Sequence, residues 1–179
     1  MDEYLKDRTC VTEVDNYVVA RTRVIHGDPS FCNTLLRAKY TLIDLDLPHT
    51  ILEDDANKYL SLGGASTEVY PLAGNFDINN DGERENIGWI KAYSPAGRGC
   101  DIERFVQLDA KRAHIANTKL TEMLGATCSS YYRAFRFEGR TYLENRRFEP
   151  YYYTNILKEV VALDGDKRRV VCEYAYNPN

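Results

Sequence analysis

Residues 76–87 read Phe76-Asp77-Ile78-Asn79-Asn80-Asp81-Gly82-Glu83-Arg84-Glu85-Asn86-Ile87, and this stretch decides the fold class of the chain. Oxygen-bearing side chains recur at alternate positions, and a glycine directly after the third of them allows the backbone to turn sharply. Such spacing lets several oxygens converge on one point, which is what a hard divalent cation needs. We therefore predict a Ca²⁺ site whose ligands include the side chains of Asp77, Asn79 and Asp81 and the backbone carbonyl of Glu83.

The residues around this stretch decide between helices and strands. In the helix-loop-helix calcium hand, the twelfth position carries a glutamate that binds the ion with both oxygens, and here that position is Gly88. The flanking residues 67–70 and 86–93 are rich in β-branched and aromatic side chains, which is typical of strands. We therefore predict that two strands, and not two helices, hold the loop.

The pattern Asp-x-Asn-x-Asp-Gly-x-x-Glu between strands, which residues 77–85 carry, resembles the calcium loops of FG-GAP and VCBS-type repeats and, more distantly, those of dockerins. The resemblance covers residues 66–94. It implies a structural Ca²⁺ whose ligands are the side chains of Asp77, Asn79, Asp81 and Glu85 and the backbone carbonyl of Glu83. A second interpretation is an Asn-Asp-Gly hairpin turn with solvated acids, because Asn and Asp tolerate left-handed backbone and Gly favours it.

Further hairpins are predicted in the second half of the chain. Residues 131–137 and 140–144 flank the two-residue turn Glu138-Gly139, and residues 157–163 and 168–174 flank a turn at residues 164–167. Residues 17–25 predict one more strand, since they are rich in Val and Thr, with a helix as the alternative.

Three short helices are also predicted. Asp28-Pro29 is typical of a helix start and predicts a helix over 29–38. A second helix would begin near Thr50 and stop at Gly63, and a third would begin at Asp109 and end at Gly125. The predicted fold is therefore α+β, mainly an antiparallel meandering sheet of hairpins with about three short helices packed on it.

Length and charge restrict the organisation and the partners. The 179 residues predict a single domain over 1–179, in which 1–65 is richer in helix and 66–179 is richer in hairpins. The 23 basic and 27 acidic residues are mixed along the chain, which leaves no continuous basic surface for nucleic acid. No apolar run approaches the roughly 20 residues of a membrane span.

Five cysteines without a Cys-x-x-Cys pair favour disulfides over a zinc site. Proximity along the chain suggests the pairs Cys10–Cys32 and Cys100–Cys128, but the sequence does not give the connectivity. The odd count leaves at least one thiol unpaired or paired with another chain, and which cysteine this is stays open. Disulfides and a calcium loop together predict a periplasmic or secreted protein. Residues 1–8 are polar and acidic, so we expect that a leader has been removed. The alternative is a cytosolic protein whose five thiols are free and buried.

A second unusual feature is aromatic. Tyr151, Tyr152 and Tyr153 follow Pro150, which disfavours a central strand, so at least one of these rings is predicted to face outward. Tyrosines with nearby Arg146 and Arg147 are typical of a protein-binding surface. The alternative is that the rings cover one face of the sheet.

The function predicted from these features is that of an exported, calcium-stabilised, non-catalytic binding protein. Its partner would be a protein, and the most concrete version is an inhibitor or immunity-type protein against a periplasmic toxin or cell-wall hydrolase. One alternative is a hydrolase of cell-wall glycan or peptide with a structural calcium, and another is a carbohydrate-binding surface module. The oligomeric state stays open. Sequence motifs for a serine nucleophile, a zinc site or a phosphate loop are lacking, which favours a binder over an enzyme.

Overall fold

Antiparallel hairpins make up most of the fold. The computed structural model describes residues 22–38, 41–43, 66–93, 102–124, 130–147 and 157–176. Its strands are β1 (Thr22–His26), β2 (Thr41–Leu42), β3 (Ser66–Pro71), β4 (Ile87–Tyr93), β5 (Ile102–Gln107), β6 (Ser130–Phe137), β7 (Arg140–Arg147), β8 (Leu157–Asp164) and β9 (Lys167–Tyr176). Its helices are α1 (Pro29–Arg37) and α2 (Lys119–Met123).

The larger sheet has six strands in the order β1-β9-β8-β7-β6-β2, and every neighbouring pair is antiparallel. Its centre is a meander of the two predicted hairpins. The β6–β7 turn consists of Glu138 and Gly139, with φ of 48° and 76°. Two positive φ values give a turn whose twist matches that of the strands it joins. The two hairpins and the antiparallel meander are therefore confirmed.

The smaller sheet has three strands in the order β3-β4-β5 and carries the loop of residues 76–87 between β3 and β4. The prediction that strands hold this loop is confirmed. Both sheets contribute to one apolar core, in which Phe76, Ile87 and Phe105 from the small sheet and its loop meet Leu143 and Val161 from the large one. Because Phe76 and Ile78 are buried in this core, the base of the loop is anchored at the large sheet, while residues 81–84 at its tip are exposed.

Helix α1 agrees closely with its prediction. Asp28 caps it by accepting a hydrogen bond from the Phe31 N–H at 2.7 Å, and Pro29 occupies the first turn. Cys32 and Leu35 are buried against the outer face of the large sheet. The predicted strand at 17–25 appears as β1, while residues 17–21 lie outside the described residues.

The predicted helix from Asp109 to Gly125 is wrong in its first half. Asp109 accepts a hydrogen bond from the Ala113 N–H at 2.8 Å, but the chain then folds back on β5, and Leu108 pairs with Ile115. Arg112 has a φ of 57°, which no α-helix accommodates. The helix begins only at Lys119, where the Thr118 hydroxyl caps it. The periodic apolar residues serve a turn and a five-residue helix instead of one long helix.

The predicted pair Cys10–Cys32 is wrong, because Cys32 forms a disulfide with Cys172 across a separation of 140 residues. Helix α1 packs over β9, and this contact brings the two cysteines together from distant parts of the chain. Cys10, Cys100 and Cys128 lie outside the described residues, as does the helix predicted from Thr50 to Gly63. Neither described helix has the length and apolarity that crossing a membrane requires.

Candidate metal centre

A short backbone pairing closes the base of the loop. The Phe76 N–H donates to the Glu85 carbonyl at 3.4 Å, and the Glu85 N–H donates to the Phe76 carbonyl at 3.1 Å. Phe76 and Ile78 are both buried in the common core. Because side chains alternate in extended chain, burying these two directs Asp77 away from the core. The apolar residues of the stretch thus position its acids.

Three of the predicted ligands converge. One carboxylate oxygen each from Asp77, Asp81 and Glu85 lies within 4.8 Å of the other two. The salt bridges among the described residues involve other acids and none of these three carboxylates. Three carboxyl groups therefore share a small volume, and within the described part of the chain no salt bridge joins them to a Lys or Arg side chain.

Backbone N–H groups hold the carboxylates in place. Asp77 accepts from the Asp81 N–H at 3.0 Å and from the Gly82 N–H at 2.9 Å, and Asp81 accepts from the Glu83 N–H at 2.8 Å. Gly82 has a φ of 96°, so the left-handed conformation expected of a turning glycine is present. Local hydrogen bonds of this kind occur in Asx turns as well as in metal loops.

Glu85 differs from the other acids because only 8% of it is exposed. Its Oε2 accepts a hydrogen bond from the Ile78 N–H at 3.0 Å. Burial raises the pKa of the Glu85 carboxyl, and the neighbouring Asp81 and Asp77 carboxylates raise it further, against the lowering effect of the Ile78 N–H. The charged form of Glu85 is thus disfavoured by its surroundings, and a bound cation would reverse that preference.

Asn79 joins the group through its amide. Its Nδ2 donates to Asp81 Oδ2 at 2.8 Å, and its Oδ1 accepts from the Asp81 N–H at 3.3 Å. Glu83 is exposed, and its side chain lies outside the carboxylate group. That the Glu83 backbone carbonyl binds Ca²⁺ stays a prediction.

Two residues with no predicted part connect the loop to the large sheet. The Asn80 carboxamide bonds to backbone groups of Thr141 and Leu163, and the Thr141 hydroxyl donates to the Asp77 carbonyl at 2.7 Å. No local pattern indicates these contacts, since the partners lie more than 60 residues apart in the chain. The sequence carries one signal, which is the choice of Asn at position 80. Asn is common in left-handed backbone, and Asn80 adopts it with a φ of 55°.

The predicted partner surface lies largely outside the described residues. Tyr151, Tyr152 and Tyr153 lie outside the described residues. Arg146 and Arg147 form the end of β7, where their backbones pair with Lys158 and Leu157 of β8, and their side chains are outside the described part of the structure.

Two further buried acids lie on the central strands of the large sheet, and they do not form a pair. Glu144 bonds to Lys158 at 2.7 Å, whereas Glu159 accepts from the Asn145 amide at 3.3 Å. Asn145 faces Glu159 across the ladder and directly follows Glu144, so the two acids point to opposite faces of the sheet. They cannot act together on one glycosidic bond.

Comparison with known proteins gives no match: no family model fits the chain, and no curated protein or solved structure is significantly similar to it. The resemblance of residues 66–94 to FG-GAP and VCBS-type repeats therefore stays a prediction.

Proposed function

We propose that the loop binds one Ca²⁺ and that the chain is an exported, non-catalytic binding protein which this ion stabilises. The observation that carries the metal is the convergence of the Asp77, Asp81 and Glu85 carboxylates within 4.8 Å. Carboxylate and carbonyl oxygens are the ligands that Ca²⁺ prefers. Asn79 and the Glu83 carbonyl would complete the coordination.

Electrostatics favour an ion over a bare turn. A solvated turn would leave its acids apart and exposed, whereas Glu85 is held in a buried position beside two other carboxylates. Bringing like charges together and removing one from water costs free energy. A divalent cation offsets both costs, and the relief of the repulsion favours binding of the cation.

The decisive experiment is thermal unfolding of the full chain in EDTA and in calcium chloride. At a free calcium concentration about 100 times the Kd, a ligand that binds only the folded state adds about 2.7 kcal/mol to the free energy of unfolding. For a chain of this size, the melting temperature should rise by about 5–10 °C. We expect Asp81→Ala to abolish this rise.

The matched control is Glu83→Gln, which removes an exposed acid from the same loop without touching the carboxylate group. This variant should keep the full calcium response. A wild-type melting temperature that calcium leaves unchanged would mean that the loop is a bare turn, and magnesium in place of calcium tests for a general effect of divalent ions.

The biological part of the proposal is an inhibitor or immunity-type protein against a toxin or cell-wall hydrolase. The buried disulfide between Cys32 and Cys172 supports an oxidising compartment, such as the periplasm or the cell exterior. The net charge of −4 favours association with a basic enzyme.

This second part is tested by direct binding. The purified chain would be titrated against muramidases, amidases and the effector proteins encoded beside its gene. Inhibition of one such enzyme at a ratio of one to one would support the proposal. Hydrolysis of peptidoglycan by the chain itself would contradict it and favour the enzyme alternative.

A further inference from the structure

The ladder between β7 and β8 stops before the ends of the two hairpins. Backbone pairing runs from Arg147 and Leu157 to Leu143 and Val161. In the same register, Tyr142 would face Ala162, and Thr141 would face Leu163 one position further on. At this point the side chain of Asn80, from the loop of residues 76–87 (the metal loop), lies between the two strands.

The Asn80 carboxamide acts as a substitute for a backbone peptide group. Its Nδ2 donates to the Thr141 carbonyl at 3.1 Å and to the Leu163 carbonyl at 2.8 Å. Its Oδ1 accepts from the Thr141 N–H at 2.9 Å. An amide side chain offers two donors and one acceptor group, and all of these functions are used.

The loop backbone on both sides of Asn80 is tied to the same two hairpins. The Thr141 hydroxyl donates to the Asp77 carbonyl at 2.7 Å, which connects the loop to the β6–β7 hairpin. The Gly165 N–H donates to the Asn79 carbonyl at 2.7 Å, which connects it to the β8–β9 hairpin. A single segment of loop, residues 77–80, therefore bonds to both hairpin ends.

Residues directly beside these contacts form an exposed charged link. Arg140 precedes Thr141 and bonds to Asp164, which follows Leu163. Arg169 also bonds to Asp164, at 3.2 Å. This link spans the two hairpin ends on the surface, so a change in their separation changes the link.

We propose that Asn80 is a positioning residue through which the state of the metal loop sets the separation of the two hairpin ends and, with it, the Arg140–Asp164 link. The coupling to metal rests on the proposed function, because Asn80 lies between the predicted ligands Asn79 and Asp81. An ion that draws these two neighbours together fixes the Asn80 backbone between them. Coupling of this kind is reciprocal, so the contacts of Asn80 also strengthen metal binding.

The test uses Asn80→Gly in the full chain. Glycine keeps the left-handed backbone of this position and removes only the carboxamide. The matched control is Asn86→Ala, which removes a side-chain bond from the same loop to Asp109 and not to the hairpins. Amide hydrogen exchange at Thr141 and Gly165 is measured in EDTA and in calcium chloride, and calcium affinity is measured by calorimetry.

In EDTA, exchange at both amides should be about tenfold faster in Asn80→Gly than in the wild type. The Thr141 N–H loses its acceptor, Asn80 Oδ1. The Gly165 N–H keeps its acceptor, the Asn79 carbonyl, but the Asn80 side chain no longer holds that carbonyl in place. Calcium should slow exchange at both amides in the wild type and much less in Asn80→Gly. The calcium Kd should rise about fivefold or more in Asn80→Gly, within the usual range of coupling between sites. Asn86→Ala should leave all of these values unchanged.

Unchanged exchange of Thr141 and Gly165 in Asn80→Gly, in EDTA, would overturn the positioning part of the inference. An equal effect of calcium on these amides in both proteins would overturn the coupling. A wild type that binds no calcium would defeat the proposed function and the coupling together, while the exchange rates in EDTA would still decide whether Asn80 holds the hairpins. Failure of the inference and failure of the proposed function are therefore separate results.

Discussion

Glu85 shows at the residue scale how one side chain can oppose folding and favour binding. It is buried, it lies beside Asp77 and Asp81, and both conditions raise the pKa of its carboxyl. The hydrogen bond from the Ile78 N–H lowers the pKa, but by less than burial raises it. A buried acid in such a position destabilises the protein at neutral pH, and under the proposed function a bound cation would convert it into a ligand.

Glu85→Gln should therefore have opposite effects in EDTA and in calcium. In EDTA, we expect a higher melting temperature than that of the wild type, because the amide relieves the repulsion and still accepts the Ile78 N–H. In calcium chloride, we expect the rise seen in the wild type to be lost. Calorimetric melting in both buffers checks this, and a lower melting temperature in EDTA would show that the charged carboxylate stabilises the loop by itself.

Two buried tyrosines predict a loss of stability at alkaline pH. Burial raises the pKa of Tyr174, with a further upward effect of Glu144, and burial also raises the pKa of Tyr142. The folded-state pKa values of both tyrosines exceed the usual value of about 10. The contribution of the two tyrosines to the free energy of unfolding is therefore complete below pH 10 and is lost as the pH rises above it. Denaturant unfolding from pH 8 to pH 11.5 measures how steeply the free energy of unfolding falls with pH, which is called the alkaline slope below.

Tyr174→Phe is the matched variant for that measurement. It removes the titrating group and the hydrogen bond from the Tyr174 hydroxyl to the Cys32 carbonyl at 2.8 Å. Stability at pH 8 should fall by about 1 kcal/mol for the lost hydrogen bond, and the alkaline slope should become shallower. An unchanged slope would mean that Tyr174 does not titrate differently in the folded and unfolded states.

At the scale of elements, α1 is a short helix that depends on its cap and on packing. Nine residues are too few for a stable isolated helix in water. Asp28 satisfies a free N–H at the first turn, and Phe31 contacts the rings of Phe137 and Tyr142 on the sheet. The cap decides where the helix begins, and the aromatic contacts decide where it lies.

Asp28→Ala should destabilise the protein by about 1 kcal/mol, because the Phe31 N–H loses its acceptor. This corresponds to a fall in the melting temperature of about 2–4 °C. Ser30→Ala, at an exposed position of the same helical turn, serves as the control and should have little effect. Equal effects of the two substitutions would show that helix propensity, and not the cap, limits α1.

At the scale of the whole molecule, a disulfide and a shared core connect parts that are distant in the chain. Cys32 and Cys172 are both buried, and their bond closes a segment of 140 residues that contains most of both sheets. Residues of both sheets and of α2 meet in one apolar cluster. The covalent bond therefore restricts the unfolded chain, while the core arranges the folded one.

Replacing both cysteines by alanine should lower the free energy of unfolding by about 2–5 kcal/mol, because a long closed loop greatly restricts the unfolded chain. Reducing agent should have the same effect on the wild type and none on the double variant, provided that the cysteines outside the described residues do not contribute. Denaturant titration of the wild type and of the double variant, each with and without reductant, checks both expectations. A loss well below this range would indicate strong residual structure in the unfolded state.

Local patterns of sequence determine much of this protein. The turn Glu138-Gly139, the cap at Asp28 and the oxygen spacing of residues 77–85 all act over a few residues, so the hairpins, α1 and the acidic loop follow from the sequence by itself. The false helix from Asp109 is the counterexample. Its apolar periodicity is real, but the backbone pairing of Leu108 with Ile115 outweighs a weak local preference.

Only the tertiary structure decided which distant residues meet. Cys32 pairs with Cys172 because α1 packs over β9, and Asn80 reaches Thr141 and Leu163 because the two sheets share a core. Such contacts depend on the packing of whole elements, and packing is governed by summed apolar burial that no short stretch of sequence carries. The sequence therefore supplied the carboxylates of the loop, and the fold supplied the connection of that loop to the rest of the molecule.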